Sequence, residues 1–397
     1  MSEFDLSFKR ARALLEMQEF DDAEREYARA VALEPTHPAA QFGLAKLRYM
    51  RGDPSFARDL AAAAAANRNH PALQIQFAEV LRLNGDLDGS ELLLRDLIAR
   101  QGPEPALRSL LAMVLHEAGR LQEALVEAFA AVKSRPDDAA KLQTLVAVLL
   151  SLGRAKDAMP LIRAERQLAP LDPIWIAHEA TAARLSGDPA YALLYDYDRF
   201  VRVYDLDPPP GFGSIAELNA ALHACLTARH QLARQPFDQS MRSGTQTTGN
   251  LVVDPDPAIQ AALGAFLEPI ADYRGRLGDA EDHPLSARNH GQTHYAGCWS
   301  VLLKAQGFHV NHIHPEGWLS SAYYISVPDE TDDPEQQAGW IKFGEPRLPV
   351  PGAGPDRTVQ PRPGRLVLFP SYMWHGTTAL HGTAPRLTMA FDVVTRT

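Results

Sequence analysis

The chain of 397 residues contains only two cysteines, Cys225 and Cys298. They could form one disulfide at most, and neither lies in a metal-binding or redox spacing, so we expect a protein of the reducing cytoplasm. No apolar run has the length of a membrane-spanning helix, and the acidic first residues Met1–Asp5 are unlike a signal peptide. We therefore expect no membrane as a partner.

The chain also lacks a cluster of basic residues, and its formal net charge is -10 at pH 7. Nucleic acids and anionic membranes bind basic patches, so we expect neither as the main partner. What is present is an ordinary globular composition, with 46% hydrophobic and 22% charged residues. The length is sufficient for about two or three domains with cores of their own.

A period of about 34 residues organises the first half of the chain. A glycine recurs at this interval, and a small residue follows it five positions later. The glycines are Gly52, Gly85, Gly119, Gly153 and Gly187, and the small residues are Ala57, Ser90, Ala124, Ala158 and Ala192. The glycine would provide a left-handed turn and the small residue a close helix contact, so the period predicts paired antiparallel helices.

This pattern resembles the tetratricopeptide repeat over roughly residues 5–205, as about six units. The resemblance implies an N-terminal α-solenoid over residues 1–205, whose concave face would bind a protein or peptide. Alternatively, the helices only brace the second half of the chain. Residues 206–245 are expected to form a linker with a short helix around Ser214–Arg229, because Pro208-Pro209-Pro210 interrupts the repeats.

Beyond residue 245 a helix is expected at Pro257–Leu277, and short β-branched and aromatic runs follow it. The predicted strands are Cys298–Lys304, Phe308–His314, Leu319–Val327, Gly339–Phe343, Arg365–Phe369 and Arg386–Val394. Short strands at this density, separated by Gly, Pro and Asp, predict a β-sandwich or jelly roll over residues 246–397.

Three histidines lie close together, at His309, His312 and His314. Alternate residues of a strand share a face, so His312 and His314 would point the same way, and His309 would face oppositely as a surface or core histidine. His375 follows a later apolar strand and could complete a metal site. Arg386 opens the next strand, and an arginine directed into a barrel needs an anion, which a dicarboxylate would supply.

The order of these residues is similar to that of the iron(II)- and 2-oxoglutarate-dependent dioxygenases. His375 lies about 60 residues after His312 and is preceded by Pro363–Pro370, while Ser320–Ile325 follows the first histidines. One sub-family, often fused to helical repeats, carries His-x-His-Pro in place of His-x-Asp. The resemblance implies a double-stranded β-helix that uses Fe(II), 2-oxoglutarate as cosubstrate, and O2. Its catalytic residues would be His312, His314, His375 and Arg386, the three histidines would hold the metal, and Arg386, Lys304, Tyr324 and Thr388 would bind the cosubstrate.

Two registers of metal ligands are open. A facial triad normally has two histidines and one carboxylate, which the pair His314-x-Glu316 would restore. We favour His312-x-His314, because little chain separates Glu316 from the strand at Ser320 and because Gly307 precedes His312 at the family's approximate spacing. Glu316 is then the reserve ligand, and an all-histidine set leaves iron affinity and turnover open.

The activity implied by the resemblance is hydroxylation of a protein or peptide at a prolyl, aspartyl or asparaginyl side chain, recruited by the repeats; fold-level analogy alone supports that substrate. One alternative is a cupin-type non-oxygenase metalloprotein, such as an isomerase or sensor, which would not need Arg386. Another is a repeat-based binding scaffold with a catalytically silent metal-binding barrel. The sequence does not indicate an oligomeric state.

Overall fold

The structure is a computed structural model that describes residues 1–278 and 282–396. Its contacts divide the chain into two compact units, Met1–Arg154 with Leu232–Gln239, and Ala155–Gln231 with Ser240–Thr397. None of the helices in the described part of the chain has the length and apolar character of a membrane-spanning segment.

The first unit is built from nine helices in the part described. They are α1 Glu3–Glu16, α2 Phe20–Leu33, α3 Pro38–Arg51, α4 Arg58–Ala66, α5 Pro71–Leu83, α6 Leu87–Gln101, α7 Pro105–Glu117, α8 Leu121–Ser134 and α9 Ala139–Ser151. Each helix packs on the next one along the chain. This confirms the paired helices that the sequence period predicts.

The turns of the repeats use the predicted residues. Gly52, Gly85, Gly119 and Gly153 all have positive φ, between 68° and 88°. This left-handed conformation is one that residues with a Cβ rarely adopt, so the helix ends at these positions. Of the small residues at this interval, Ser90, Ala124 and Ala158 are fully buried, as close helix packing requires, whereas Ala57 is half-buried and Ala192 is exposed.

The second unit contains seven further helices among the described residues. They are α10 Ala155–Leu168, α11 Pro173–Ser186, α12 Ala190–Leu194, α13 Tyr197–Phe200, α14 Ile215–Thr227, α15 Pro257–Ala265 and α16 Leu267–Leu277. The last predicted repeat unit is incomplete. It has only the five-residue helix α12 where a full helix was expected. The helix predicted at 257–277 is two helices that meet at Phe266.

Nine strands complete the second unit. They are β1 Arg202–Asp205, β2 Met241–Gln246, β3 Gln292–His309, β4 Leu319–Ser326, β5 Ile341–Phe343, β6 Arg357–Val359, β7 Arg365–Pro370, β8 His375–Thr377 and β9 Arg386–Arg396. One sheet has the order β1-β7-β4-β9-β3-β2 and the other β6-β5-β8, and every pairing is antiparallel. This is the jelly-roll arrangement that the spacing of strands predicts.

The predicted domain limits need correction. Strand β1 lies within the range assigned to the repeats, and β2 overlaps the predicted linker, yet both form edges of the larger sheet. Helices α10 to α13 also belong to the second unit. Composition could not place these limits, because a short edge strand carries little periodic signal and takes its hydrogen bonds from residues far along the chain.

One interior face of the larger sheet carries the residues of interest. Arg386 lies opposite Leu303 in the pairing of β9 with β3, and Thr388 lies opposite Val301. Thr388 is also paired with Tyr324 of β4. Directly opposed residues of an antiparallel pair point to the same face. Arg386, Thr388 and Tyr324 therefore share this face, and all three are buried.

Candidate metal centre

Three imidazole rings converge where the two sheets meet. His312 lies just beyond the end of β3, and its backbone exchanges two hydrogen bonds with His375 at the start of β8, of 2.8 and 3.0 Å. The backbone N of His314 donates to the carbonyl of Ser371 at 2.9 Å. Ligand atoms of the three histidines lie within 4.8 Å of one another, a spacing at which one metal ion could contact all of them.

The hydrogen bonds of these rings define which nitrogen faces the centre. Nδ1 of His312 and Nδ1 of His375 each lie 2.9 Å from the carbonyl oxygen two residues earlier. Nδ1 of His314 lies 2.7 Å from Oδ2 of Asp392. A carbonyl oxygen only accepts, as does a carboxylate, so each Nδ1 carries the proton in a neutral ring. Each Nε2 is then left with the lone pair that a metal requires.

Burial keeps two of the rings neutral. It lowers the pKa of His312 to about 3, with the neighbouring His314 as a further cause. Burial likewise lowers the pKa of His375 well below its ordinary value, assisted by His312 and His314. Both rings are therefore unprotonated at neutral pH. A metal can bind without first displacing a proton from either of them.

The fold does not bring together the ligands of the alternative register, in which Glu316 would bind the metal. Glu316 is exposed in the turn that follows His314. It is not a member of the group formed by His312, His314 and His375. The chain turns directly after His314, since β4 begins at Leu319. Glu316 lies in this turn, and its side chain points to solvent.

His309 does not face away from His312 as expected, although it is not a member of the ligand group. Its ring stacks on that of His312 with centroids 6.0 Å apart. Its Nδ1 lies 3.1 Å from Oγ of Ser240, and the same oxygen lies 3.4 Å from Nε2 of His312. Strand β3 ends at His309, so alternation does not extend to His312, and the intervening turn brings both rings to one side. Burial lowers the pKa of His309 well below its ordinary value.

Arg386 is a buried cation with an unused donor. Its exposed fraction is 3%, its Nη1 donates to the carbonyl of Gly339 at 2.5 Å, and its guanidinium carbon lies 5.7 Å from the centre of the Tyr324 ring. Its Nε is buried and has no hydrogen-bond partner within the described residues. Burial also lowers the Arg386 pKa. This group fits an anion, since a carboxylate would pair both the charge and the donor.

Lys304 does not accompany Arg386. In the pairing of β3 with β9 it is Leu303 that lies opposite Arg386, and the next residue of a strand points to the other face. Lys304 is exposed accordingly. The expectation that Lys304 contacts the cosubstrate is therefore not supported by its position, whereas Tyr324 and Thr388 lie on the same face as Arg386.

Asp392 is the residue that sequence analysis missed. It lies on β9 at the same alternation as Arg386 and Thr388, so its side chain reaches the interior and meets His314. A signal was available, because polar residues at 386, 388 and 392 alternate with apolar residues at 387, 389 and 391. That period is typical of a strand whose polar side chains share one face.

The loop that carries His375 is held by the helices of the second unit. The backbone N of Trp374 donates to the Tyr195 hydroxyl at 2.9 Å, and that hydroxyl donates to the Tyr372 carbonyl. The Trp374 indole N–H donates to Oγ1 of Thr181 in α11 at 3.2 Å. These bonds, made by Thr181 of α11 and by Tyr195 directly after α12, agree with the alternative that helices of this region brace the second half of the chain.

Gly376 allows the chain to pass close to the neighbouring segment. A Cβ at this position would lie 2.4 Å from Oδ1 of Asn311 and 2.8 Å from the carbonyl oxygen of His309. Both distances are shorter than van der Waals contact, so any side chain would displace β8 from the His312 segment.

Two family models match the chain. The model described as "Putative 2OG-Fe(II) oxygenase" matches residues 297–392, and a tetratricopeptide repeat model matches residues 8–72 and 75–140. The first match includes the three histidines, Arg386 and Asp392. No curated protein sequence matches the chain.

Similar solved structures are of both kinds. A prolyl-4-hydroxylase from Pseudomonas putida is 15% identical over 52% of this chain and 98% of its own, with a TM-score of 0.34. A tetratricopeptide repeat protein from Parabacteroides merdae is 11% identical over 48% of this chain and 75% of its own, with a TM-score of 0.38. A thermophilic repeat protein from Thermus thermophilus is 19% identical over 45% and 98%, with a TM-score of 0.36. The chain thus combines tetratricopeptide repeats with a domain that matches the 2OG-Fe(II) oxygenase family.

Proposed function

We propose that the second unit is an Fe(II)- and 2-oxoglutarate-dependent oxygenase. The observation that carries the proposal is the pairing of two features in one barrel. Three imidazoles turn their Nε2 atoms to a common point, and the same interior holds the buried Arg386 with an unpaired Nε. A cupin-type metalloprotein would have a use for the first feature and none for the second.

The proposal assigns a role to each residue according to its position. His312, His314 and His375 would hold the metal through Nε2. Arg386 would bind the distant carboxylate of 2-oxoglutarate, with Thr388 and Tyr324 beside it on the same face. Bound Fe(II), 2-oxoglutarate and O2 would supply the oxidising chemistry, in which the cosubstrate loses CO2 to give succinate and a substrate carbon gains a hydroxyl group.

The protein's own contribution is positioning and exclusion of water. The proton on each Nδ1 is held by an acceptor, which orients the rings before a metal arrives. Two buried side chains, Tyr324 and Leu303, lie on the same face of the sheet as Arg386. In this setting an arginine–carboxylate pair is screened little by water, so the cosubstrate would be held strongly and in one orientation.

The repeats support a protein or peptide substrate. Tetratricopeptide repeats generally bind other proteins along their concave face, and the repeat model matches this chain over residues 8–72 and 75–140. We propose that this face recruits the substrate and that the hydroxylated group is a side chain, of a prolyl, aspartyl or asparaginyl residue. A reducing compartment such as the cytoplasm is proposed because both cysteines are free.

The test is spectroscopic. Anaerobic protein loaded with Fe(II) is titrated with 2-oxoglutarate, and the metal-to-ligand charge-transfer band is followed in the visible. We expect a saturable band with the wild type, a strongly right-shifted titration with Arg386→Ala, and no change with Arg357→Ala, an arginine whose side chain is 46% exposed. Absence of the band in the wild type, or an unchanged titration after Arg386→Ala, would refute the oxygenase proposal.

One observation favours a second candidate, a binding scaffold whose barrel is silent. The ligand group contains three histidines and no carboxylate among the described residues, whereas the usual facial triad has one. Measurement of succinate separates the two functions. An oxygenase should form succinate from 2-oxoglutarate under O2 and form more in the presence of substrate, and a scaffold should form none even when the charge-transfer band is present.

A further inference from the structure

Asp392 is bonded to the metal centre through one of its imidazoles. Its Oδ2 accepts the Nδ1–H of His314 at 2.7 Å, and its Oδ1 accepts the hydroxyl of Ser320 at 2.7 Å. That hydroxyl is in turn 2.8 Å from Oγ of Ser371. The Asp392 and His314 side chains are 16% and 17% exposed, so the bond between them is largely removed from water.

The carboxylate cannot itself be a ligand in this arrangement. It lies on the Nδ1 side of the His314 ring, and Nε2 is on the opposite side. The ring is also stacked on Trp299, with centroids 5.8 Å apart and planes inclined by 16°. With Asp392 at its edge and Trp299 on its face, the His314 ring has one orientation, and Asp392 stays behind it.

Space for this arrangement is left by a glycine. A Cβ at Gly317 would lie 2.3 Å from Oγ of Ser371 and 3.6 Å from Cγ of Asp392. Any larger residue there would push the serine, and with it the network that holds the carboxylate. The small size of Gly317 therefore leaves room for the hydrogen-bond network of Ser371, Ser320 and Asp392, which ends at Nδ1 of His314.

Charge explains why such a network would be useful. Three neutral imidazoles bring no charge to a divalent cation, whereas a set of two histidines and one carboxylate brings one negative charge. His312, His314, His375 and Asp392 together have that same formal charge. A carboxylate bonded to Nδ1 also raises the basicity of the metal-bound Nε2.

We propose that Asp392 is the anionic positioning residue of this centre and supplies, through His314, the charge that a ligand carboxylate supplies in the usual facial triad. The inference rests on the proposed function only in requiring that the three histidines bind a divalent metal. In this proposal β9 contributes two charged residues to one face of the sheet. Arg386 would bind the cosubstrate anion, and Asp392 would offset the charge of the metal cation.

The test measures metal affinity with Co(II) as the probe, from its visible d–d absorption, in the full-length protein without 2-oxoglutarate. Asp392→Asn keeps one oxygen that can accept the His314 proton, removes the charge, and places an NH2 group opposite the Ser320 hydroxyl, which can accept from it. We expect it to weaken Co(II) binding by about 10- to 100-fold. The matched control is Asp207→Asn, the same chemical change at an exposed position of the second unit, and it should leave the affinity unchanged.

Further variants separate charge from geometry. Asp392→Ala should weaken Co(II) binding at least as much as Asp392→Asn. If Asp392→Asn instead binds like the wild type and only Asp392→Ala is impaired, the bond matters and the charge does not, and the proposal is overturned. Ser320→Ala, which frees Oδ1 alone, should weaken binding to a smaller extent and serves as the test if the Asp392 variants do not fold.

Histidine-ring ¹⁵N NMR of the metal-free protein provides a readout that a purely structural role would not move. Where the His314 ring is neutral, the wild type should show only its Nδ1–H form, and Asp392→Ala should show a mixture of both neutral forms while His375 is unchanged. A wild type that does not bind Co(II) would overturn the proposed function together with this inference. Normal Co(II) binding in both the wild type and Asp392→Asn would overturn only the role of Asp392.

Discussion

Replacing Arg386 with methionine should have opposite effects on folding and on cosubstrate binding. The guanidinium is 3% exposed, has one hydrogen bond to Gly339, and leaves Nε unpaired. Among the described residues, no carboxylate is in contact with this buried cation. Methionine has similar length and no charge, so Arg386→Met removes the cost of burying the cation and also removes the anion-binding group.

The expected magnitudes follow from these contacts. A buried charge without a partner costs several kcal/mol, and loss of the bond to the Gly339 carbonyl costs about 1–3 kcal/mol. We therefore expect Arg386→Met to raise the unfolding free energy of the ligand-free protein by roughly 1–2 kcal/mol. Loss of the arginine–carboxylate pair should weaken 2-oxoglutarate binding by about 2–5 kcal/mol, which corresponds to roughly 30- to 4,000-fold in Kd.

Two measurements check this prediction. Urea denaturation of the ligand-free protein gives the change in stability, and calorimetric titration of 2-oxoglutarate into Mn(II)-loaded protein gives the change in Kd. Arg357→Met is the control, because Arg357 is half-exposed and should change neither quantity appreciably. A strongly destabilised Arg386→Met with an unaltered Kd would show that the arginine is a structural residue and would refute the reasoning.

Three further predictions test the centre and the fold around it. Glu316→Ala should bind metal like the wild type and His314→Ala should lose the metal, as measured by Co(II) absorption; the opposite result would establish the other ligand register. Gly376→Ala should lower the unfolding free energy by about 1–3 kcal/mol and weaken Co(II) binding, whereas Gly354→Ala, where a Cβ would meet nothing within 4 Å, should do neither. Burial lowers the pKa of His116 to about 4, so the unfolded state takes up the proton first as the pH falls below 6.5, and stability present at pH 7 is lost towards pH 4. His116→Gln should therefore reduce the loss of unfolding free energy between pH 7 and pH 5 by about 2 kcal/mol in urea titrations, and an equal loss in both proteins would contradict this.

Sequence patterns predicted those parts of the fold whose contacts join residues close together in the chain. A helix turn needs its glycine within the same unit, so the left-handed residues from Gly52 to Gly153 could be identified by their interval alone. The same interval identified three small residues that are fully buried, Ser90, Ala124 and Ala158. The pattern failed at the last unit, where α12 has five residues, because the bonds of that region are made with the barrel and no longer with a neighbouring repeat.

Two features of the centre could not be obtained from alternation. His309 was expected to face away from His312, and the end of β3 between them reversed that expectation. Asp392 meets His314 across 78 positions of sequence, a contact that depends on β9 lying beside both β3 and β4. The order of strands depends on the packing of the whole sheet, so the sequence of a single strand does not reveal its neighbours.

The sequence by itself determined the two parts of this protein, the candidate ligands His312, His314 and His375, and the arginine that follows them, because these are spacings within short segments. Only the tertiary structure shows that the three histidines come together, that Glu316 is exposed, and that Arg386 is buried with an Nε that has no partner among the described residues. It also decided that a carboxylate stands behind His314. The reason is physical: hydrogen bonds and burial join residues that are distant along the chain, and only the folded sheet sets which of them are neighbours.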